Sequence, residues 1–302
     1  MKFKYVFFAI SLLVILPGIF SLAKFGLKMS IDFSGGTLLE IQNSSLRQDS
    51  GRQAKLKTIY ENQKIEFASA QQTSNSSVLI RSKSLDNSAK EKIVAEISKE
   101  FGETKVERFE TVGPTIGAEL TQKAMMAVGL ASILIIIYIA YAFREIPPPY
   151  KSWRFGVCAV IALLHDVFVV IGTFSLLGHF FGAEIDSLFV TAILTIIGFS
   201  VHDTIVVFDR IRENLSKDAS KLSFADVTNE SILQTLVRSL NTSLTVVFTL
   251  LALILFGGES IRWFSVALLI GIVSGTYSSI FNAAHLLVLW EEKNGESGKI
   301  SR

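Results

Sequence analysis

Six stretches of this chain are apolar for about the 20 residues needed to cross a bilayer, and that pattern leaves few folds open. Tyr5–Ala23 and Ala124–Phe143 carry no charged side chain. Phe155–Leu177 holds His165 and Asp166, and Leu188–Phe208 holds His202 and Asp203. Leu240–Phe256 is short, with Ser231–Ser239 available to extend it. Trp263–Trp290 is long and contains only His285. Trp153, Trp263 and Trp290 lie at span ends, where an amphipathic ring favours the membrane interface. The reading is a polytopic α-helical membrane protein with six transmembrane helices. The first run follows Met-Lys-Phe-Lys, a basic start shared with signal peptides. Its length, Pro17-Gly18 and the lack of a small-x-small cleavage site before Lys24 point to a retained anchor.

Lysine and arginine in the short connections set the expected orientation. The second-to-third connection holds Arg144, Lys151 and Arg154. The fourth-to-fifth holds Arg210, Arg212, Lys217 and Lys221, with Arg238 close by. The third-to-fourth turn, GHFFGAEID, has neither, and GGESIRW has only Arg262. The tail carries Lys293, Lys299 and Arg302. Both termini are therefore expected in the cytoplasm, and the segment from Lys24 to Lys123 outside it. A net charge of +2 gives no basic patch for nucleic acid. Cys158, the single cysteine, sits in an apolar run and forms no intrachain disulfide. No zinc spacing, phosphate-binding loop or nucleophile elbow is present.

The expected boundaries are an N-terminal helix over 1–25, an extracytoplasmic α/β domain with its joints over 26–120, and a five-helix bundle over 121–290. The bundle includes a cytoplasmic amphipathic segment over 209–238, and a cytoplasmic tail follows over 291–302. Within the outer domain, GTLLEIQN reads as a strand and Arg52–Glu61 as a helix. KIEFASA and SSVLIRS read as strands, NSAKEKIVAEISKEFG as an amphipathic helix, and KVERFETV as a closing strand. Ser88 with Glu91 reads as the capping box of the amphipathic helix. The order strand-helix-strand-strand-helix-strand predicts a ferredoxin-like sandwich without a catalytic constellation. Two glycine-rich joints flank it. One holds Asp32, Gly35 and Gly36, and the other holds Gly113 and Pro114. Each reads either as an ordinary linker or as a hinge.

Ionisable groups inside spans are expensive and by default face the bundle interior. Asp166 lies about 16 Å into its span, near the midplane, and Asp203 about 22 Å into its own, nearer the cytoplasm. Arg238 starts the fifth span from that side, so it can meet Asp203 at similar depth. Asp203 and Arg238 form either a static lock or a proton relay. His165 and His202 are relay assistants or packing residues. Asp209, Arg210, Arg212 and Glu213 read as a solvated helix end. SFADVTNESILQTLV reads as a helix along the inner surface, capped by Ser223 and Asp226. Gly271, Ser274, Gly275 and Ser278 make a small-residue face, for bundle packing or for a partner.

IDFSGGTLLEI, VGPTIG, ALLHDV, GFSVHDTIVVFDRIREN, QTLVRSLNTSL and LFGG occur in the order found in the SecF family of bacterial preprotein translocase accessory subunits. The resemblance runs from Ser30 to about Trp290. It implies half of a resistance-nodulation-division type bundle, with SecD supplying the other half. It implies work beside the SecY channel (SecYEG), with YajC as a further partner, unfolded preprotein as substrate and the lipid of the bacterial inner membrane as surroundings. No cofactor is implied. The resemblance implies the proton as coupling ion, with sodium the alternative. Asp203 and Arg238 fall at the family's proton-pathway acid and arginine, and Asp166 at the acid of its HD motif. Asp32, Gly35 and Gly36 match its entry motif. His202 stands where relatives often have asparagine. Two other functions fit the same residues: a stand-alone proton-coupled exporter, and a passive translocon scaffold.

Overall fold

The computed structural model describes residues 4–43, 50–72, 77–144, 146–218 and 222–293. Lys2, Lys221, Lys299 and Arg302, and with them most of the tail, lie outside the described residues. The chain divides into two compact units, Met29–Met125 and the remainder.

The smaller unit is built on a four-stranded antiparallel sheet of order β2-β3-β1-β4, from β1 (Gly36–Gln42), β2 (Phe67–Gln72), β3 (Ser77–Ser82) and β4 (Lys105–Val112). Helix α2 (Ile31–Ser34) precedes the sheet. Helix α3 (Ser50–Asn62) links β1 to β2, and α4 (Asn87–Phe101) links β3 to β4. This is the ferredoxin-like order. The alternation of β1 sends Leu39 and Ile41 into a core with Leu56, Tyr60, Ile80, Ile93 and Ile97. Burial in that core pushes the Tyr60 phenol above its ordinary pKa. β2 starts at Phe67 rather than Lys64, because Lys64 has φ 58° and closes α3 with its amide on the Glu61 carbonyl.

The N-cap of α4 is Asp86, not Ser88. The Asp86 carboxylate accepts the Ala89 amide at 2.7 Å, and Ser88 Oγ donates to the same oxygen at 3.1 Å. A carboxylate two residues earlier out-competes the serine for the orphan amides. Those bonds, the Ala89 amide first, hold the Asp86 carboxyl below the usual carboxylate range. A depressed native pKa stabilises above the unfolded value of about 3.9 and is lost as pH falls through the native one. Asp86→Ala is therefore expected to speed amide exchange in the first turn of α4 at neutral pH. Its excess over wild type should shrink below about pH 4.

Among the described residues six helices are long and apolar enough to cross a membrane, which makes this a multi-pass membrane protein. They are α1 (Lys4–Phe25), α5 (Pro114–Ala142), α6 (Ser152–Phe181), α7 (Ser187–Asp218), α8 (Phe224–Phe256) and a composite last span. The last span is α9 (Glu259–Tyr277), a π-helical segment (Ser278–Ala283) and α10 (Ala284–Lys293). The first three turns of α5 belong to the smaller unit, and Pro114 occupies its first position, where no amide is needed. Half of the apolar window of α6 and of α7 is buried, against 6% for α5, so α6, α7 and the last span form the inner layer.

Small residues set the closest approaches. A Cβ on Gly172 of α6 would lie 2.7 Å from the Gly18 Cα of α1, and one on Gly271 would overlap Ile196. The Gly271–Ser278 face of the last span thus packs inside the bundle against α7. Phe143, Phe155, Phe208 and Phe224, all buried, lock the ends of α5, α6, α7 and α8 together, with Phe155 and Phe208 ring centroids 5.4 Å apart.

One element differs in kind from its sequence reading. The segment from Phe224 is not a separate surface helix but the first part of α8, continuous to Phe256. No glycine or proline interrupts 224–256, so nothing breaks the helix where its pattern changes from amphipathic to apolar. The expected cap is present: Ser223 Oγ accepts the Asp226 amide at 3.2 Å. Asp209–Arg212, Arg210–Glu213 and Glu213–Lys217 are ion pairs on the last turns of α7.

Candidate functional site

Asp166 and Asp203 both lie inside the bundle, and their surroundings differ. Asp166, on α6, is fully buried. Its Oδ1 accepts Ser274 Oγ of α9 at 2.7 Å and faces His165 Nδ1 at 3.0 Å. Its Oδ2 accepts Ser200 Oγ of α7 and Ser278 Oγ of the π-helical segment, both at 2.6 Å. Four groups fill the carboxylate's lone-pair positions. Gly275 allows this approach: a Cβ there would lie 3.2 Å from the Ser200 Cβ.

Asp203, on α7, is 5% exposed and has one partner, Ser239 of α8, whose Oγ donates to Oδ1 at 3.0 Å. Its Oδ2 is buried with no hydrogen-bond partner among the described residues. A buried carboxylate oxygen without a protein partner is uncommon and calls for an explanation. Ser239 is itself braced: Ser243 Oγ donates to the Ser239 carbonyl at 2.9 Å and meets Thr276 Oγ1 at 2.5 Å.

Arg238 does not pair with Asp203 in this structure. It is exposed on α8, one residue from Ser239, and His202 is exposed on α7. Neither side chain makes a hydrogen bond or ion pair among the described residues. His165 is mostly buried, and its Nε2 has no hydrogen-bond partner among the described residues.

The outward face of α7 is unusual for a membrane helix. Thr191, Thr195, Gly198 and His202 are exposed along one stripe at helical spacing, and Leu188 is the one large exposed apolar side chain described on α7. On α8 an exposed polar stripe runs through Arg238, Thr242, Thr245 and Thr249. By contrast α5 exposes Met125, Met126, Leu130, Ile133, Leu134 and Ile137, as a lipid-facing helix should.

The glycine joints are in contact with one another rather than independent. Gly35 has φ 70° and caps α2, and Gly36 has φ 129° at the start of β1. A Cβ on Gly35 would meet the Pro114 Cα at 3.0 Å, and one on Gly117 would meet the Gly35 nitrogen at 2.9 Å. Ser30 caps α2 by accepting the Asp32 amide at 3.1 Å. Gly113 has open space around it. A Cβ on Gly36 would lie 2.8 Å from the Ser82 carbonyl oxygen, in a conformation that other residues seldom adopt. Gly36→Ala is expected to cost about 2–4 kcal/mol, read as accelerated exchange throughout β1 and β3.

Sequence reasoning missed a buried ion pair. Arg154 of α6 and Glu291 of α10 meet at 2.6 Å with side chains 5% and 0% exposed. Trp153 and Trp290 stack edge to face beside it, and Lys4 pairs with Glu292. It also missed the serines around Asp166 as ligands of that acid. Their four-residue spacing, Ser274 to Ser278, was the available signal.

Comparison with known proteins places this geometry. Residues 92–293 match the family described as "Protein export membrane protein SecD/SecF, C-terminal", and residues 20–42 match the SecD/SecF GG motif. The chain is a member of the SecD/SecF family, of the SecF type. Protein translocase subunit SecF of Thermobaculum terrenum is 49% identical over 97% of this chain and 94% of its own length. SecF of Anaerolinea thermophila is 48% identical over 95% and 92%. The crystal structure of SecDF from Thermus thermophilus, titled a translocon-associated membrane protein, matches with TM-score 0.80 at 35% identity. It covers 96% of this chain, while the SecF-type chain spans 38% of that longer one. The GG-motif match ends at Gln42, the last residue of β1, so the Gly35–Gly36 clasp and its strand fall within one family segment.

Proposed function

We propose that this chain is the SecF-type half of a SecD–SecF complex. In this reading it uses the proton-motive force to help preproteins pass through and leave the SecY channel. The observation that carries the reading is the buried Oδ2 of Asp203, without a hydrogen-bond partner among the described residues, on the turn next to exposed Arg238 and His202. An acid with an open oxygen can take a proton without first breaking a bond. The polar stripes of α7 and α8 support a transmembrane partner, because an unpaired Arg and His facing lipid would cost several kcal/mol. A SecD-type bundle is the expected cover. YajC, unfolded preprotein and inner-membrane lipid complete the surroundings, with both termini in the cytoplasm and residues 29–125 outside it.

The proposed cycle is short. Ionised Asp203 draws Arg238 towards it across the α7–α8 contact. Protonation from the outer side neutralises the acid and frees Arg238 for the partner. Helix packing shifts, and the Gly35–Pro114–Gly117 clasp passes the shift to the outer domain. One proton falling through about 150 mV supplies about 3 kcal/mol. That biases a two-state equilibrium by about two decades, enough to swing a domain between states.

The test is reconstitution of this chain with a SecD partner and SecYEG in vesicles loaded with a preprotein intermediate. An imposed proton gradient is expected to speed preprotein release, and a protonophore to remove the gain. Release that ignores the gradient but follows an imposed sodium gradient would transfer the reading to sodium. Release indifferent to both would leave a passive scaffold.

A further inference from the structure

Taking Asp203 as the proton carrier, as proposed above, we infer that Asp166 is a positioning residue and not a second carrier. It ties α6, α7, α9 and the π-helical segment into one knot that fixes the turn of α7 bearing Asp203.

The two acids differ in what their oxygens are free to do. Asp203 keeps Oδ2 open, whereas both oxygens of Asp166 are occupied by three serine hydroxyls and the His165 ring. A carrier must exchange a proton with a path, and any proton reaching Asp166 would have to displace one of those bonds. Among the described residues no hydroxyl chain joins the two acids directly. The Ser200 carbonyl accepts Thr204 Oγ1 and Ser279 Oγ, and neither bond reaches Asp203.

What the knot holds is the turn Ser200–Thr204. Ser200, three residues before Asp203, donates to Asp166 at 2.6 Å. Thr204, the residue after Asp203, meets Ser279 Oγ at 2.8 Å, and Ser279 also donates to the Ser200 carbonyl at 3.2 Å. Ser239 holds Asp203 itself from the α8 side. The turn is thus pinned from α6, from α8 and from the last span. The π-helical segment makes the last of these possible: its wider winding lets consecutive Ser278 and Ser279 serve Asp166 and Thr204. Such segments are rare and recur at functional sites.

The test compares Asp166→Asn, Asp166→Leu, Ser278→Ala and Asp203→Asn in the reconstituted complex with SecD and SecYEG. Gradient-driven preprotein release is followed across pH, and amide exchange is followed at residues 200–204. Asparagine keeps the size and an acceptor oxygen, and its amide can donate to a serine oxygen. Asp166→Asn is therefore expected to keep gradient-driven release, slowed about tenfold, with the wild-type midpoint pH. Asp166→Leu should lose the release. Ser278→Ala, which keeps the acid, should slow release and speed exchange at 200–204. Complete loss in an assembled Asp166→Asn complex, or a moved midpoint, overturns the inference. So does unchanged exchange at 200–204 in Ser278→Ala. If Asp203→Asn retains full gradient-driven release, the proton reading falls instead.

Discussion

Asp203→Asn is expected to abolish the gradient-driven part of preprotein release while the complex still assembles. Asparagine occupies nearly the same volume, and its carbonyl oxygen can still accept the Ser239 hydroxyl that Oδ1 accepts now. The site is nearly closed, so no new cavity forms. What is lost is the ability to change charge. An amide stays neutral, so Arg238 feels one fixed environment through the whole cycle and the two states are no longer biased by the gradient. The bias at stake is about 3 kcal/mol per proton, or about two decades in population. With the gradient applied, the variant should therefore release preprotein at the rate that wild type shows after a protonophore. Release rates in matched vesicles decide it: equal acceleration of mutant and wild type by the gradient would end the proton-carrier role of Asp203.

Much of this architecture was legible because its signals are local. A run of about 20 apolar residues has one common outcome in a bilayer, so the six spans could be found, although α5, α7 and α8 each run well beyond the apolar stretch at one end. The small α/β domain was legible because turn residues separate its elements, and order alone restricts the topology. Asp166 and Asp203 stood out as acids in apolar runs. Their difference did not, because it depends on serines contributed by α7, α8, α9 and the π-helical segment. The π-helical segment left no mark in SSIFNA, which contains neither glycine nor proline. The glycine joints were read as two separate joints, linkers or hinges, since 76 residues lie between Gly36 and Gly113. The sheet brings them together, and Gly35 and Gly36 then serve close packing rather than freedom of movement. Arg154 was read as one more basic loop residue on the cytoplasmic side, and Glu291 fell just past the last tryptophan. Only the fold joins them.

Glu291→Leu should be among the most damaging single changes outside the acid sites, yet the damage should vanish when Arg154 is changed with it. Both side chains of this pair are withdrawn from solvent. Removing Glu291 alone takes a buried carboxylate partner from a guanidinium that cannot shed its charge. Breaking a buried pair from one side typically costs about 3–5 kcal/mol. Replacing both partners by apolar residues of similar size removes the charge problem as well as the attraction, and the net change is commonly near zero or favourable. Thermal midpoints in detergent should therefore fall sharply for Glu291→Leu and Arg154→Met. The double variant should recover to near wild type, helped by the Trp153–Trp290 contact that remains beside it. Gradient-driven release in the double variant then separates two roles. If the pair only joins α6 to α10, release returns with stability. If the two charges must part during the cycle, stability returns and release does not.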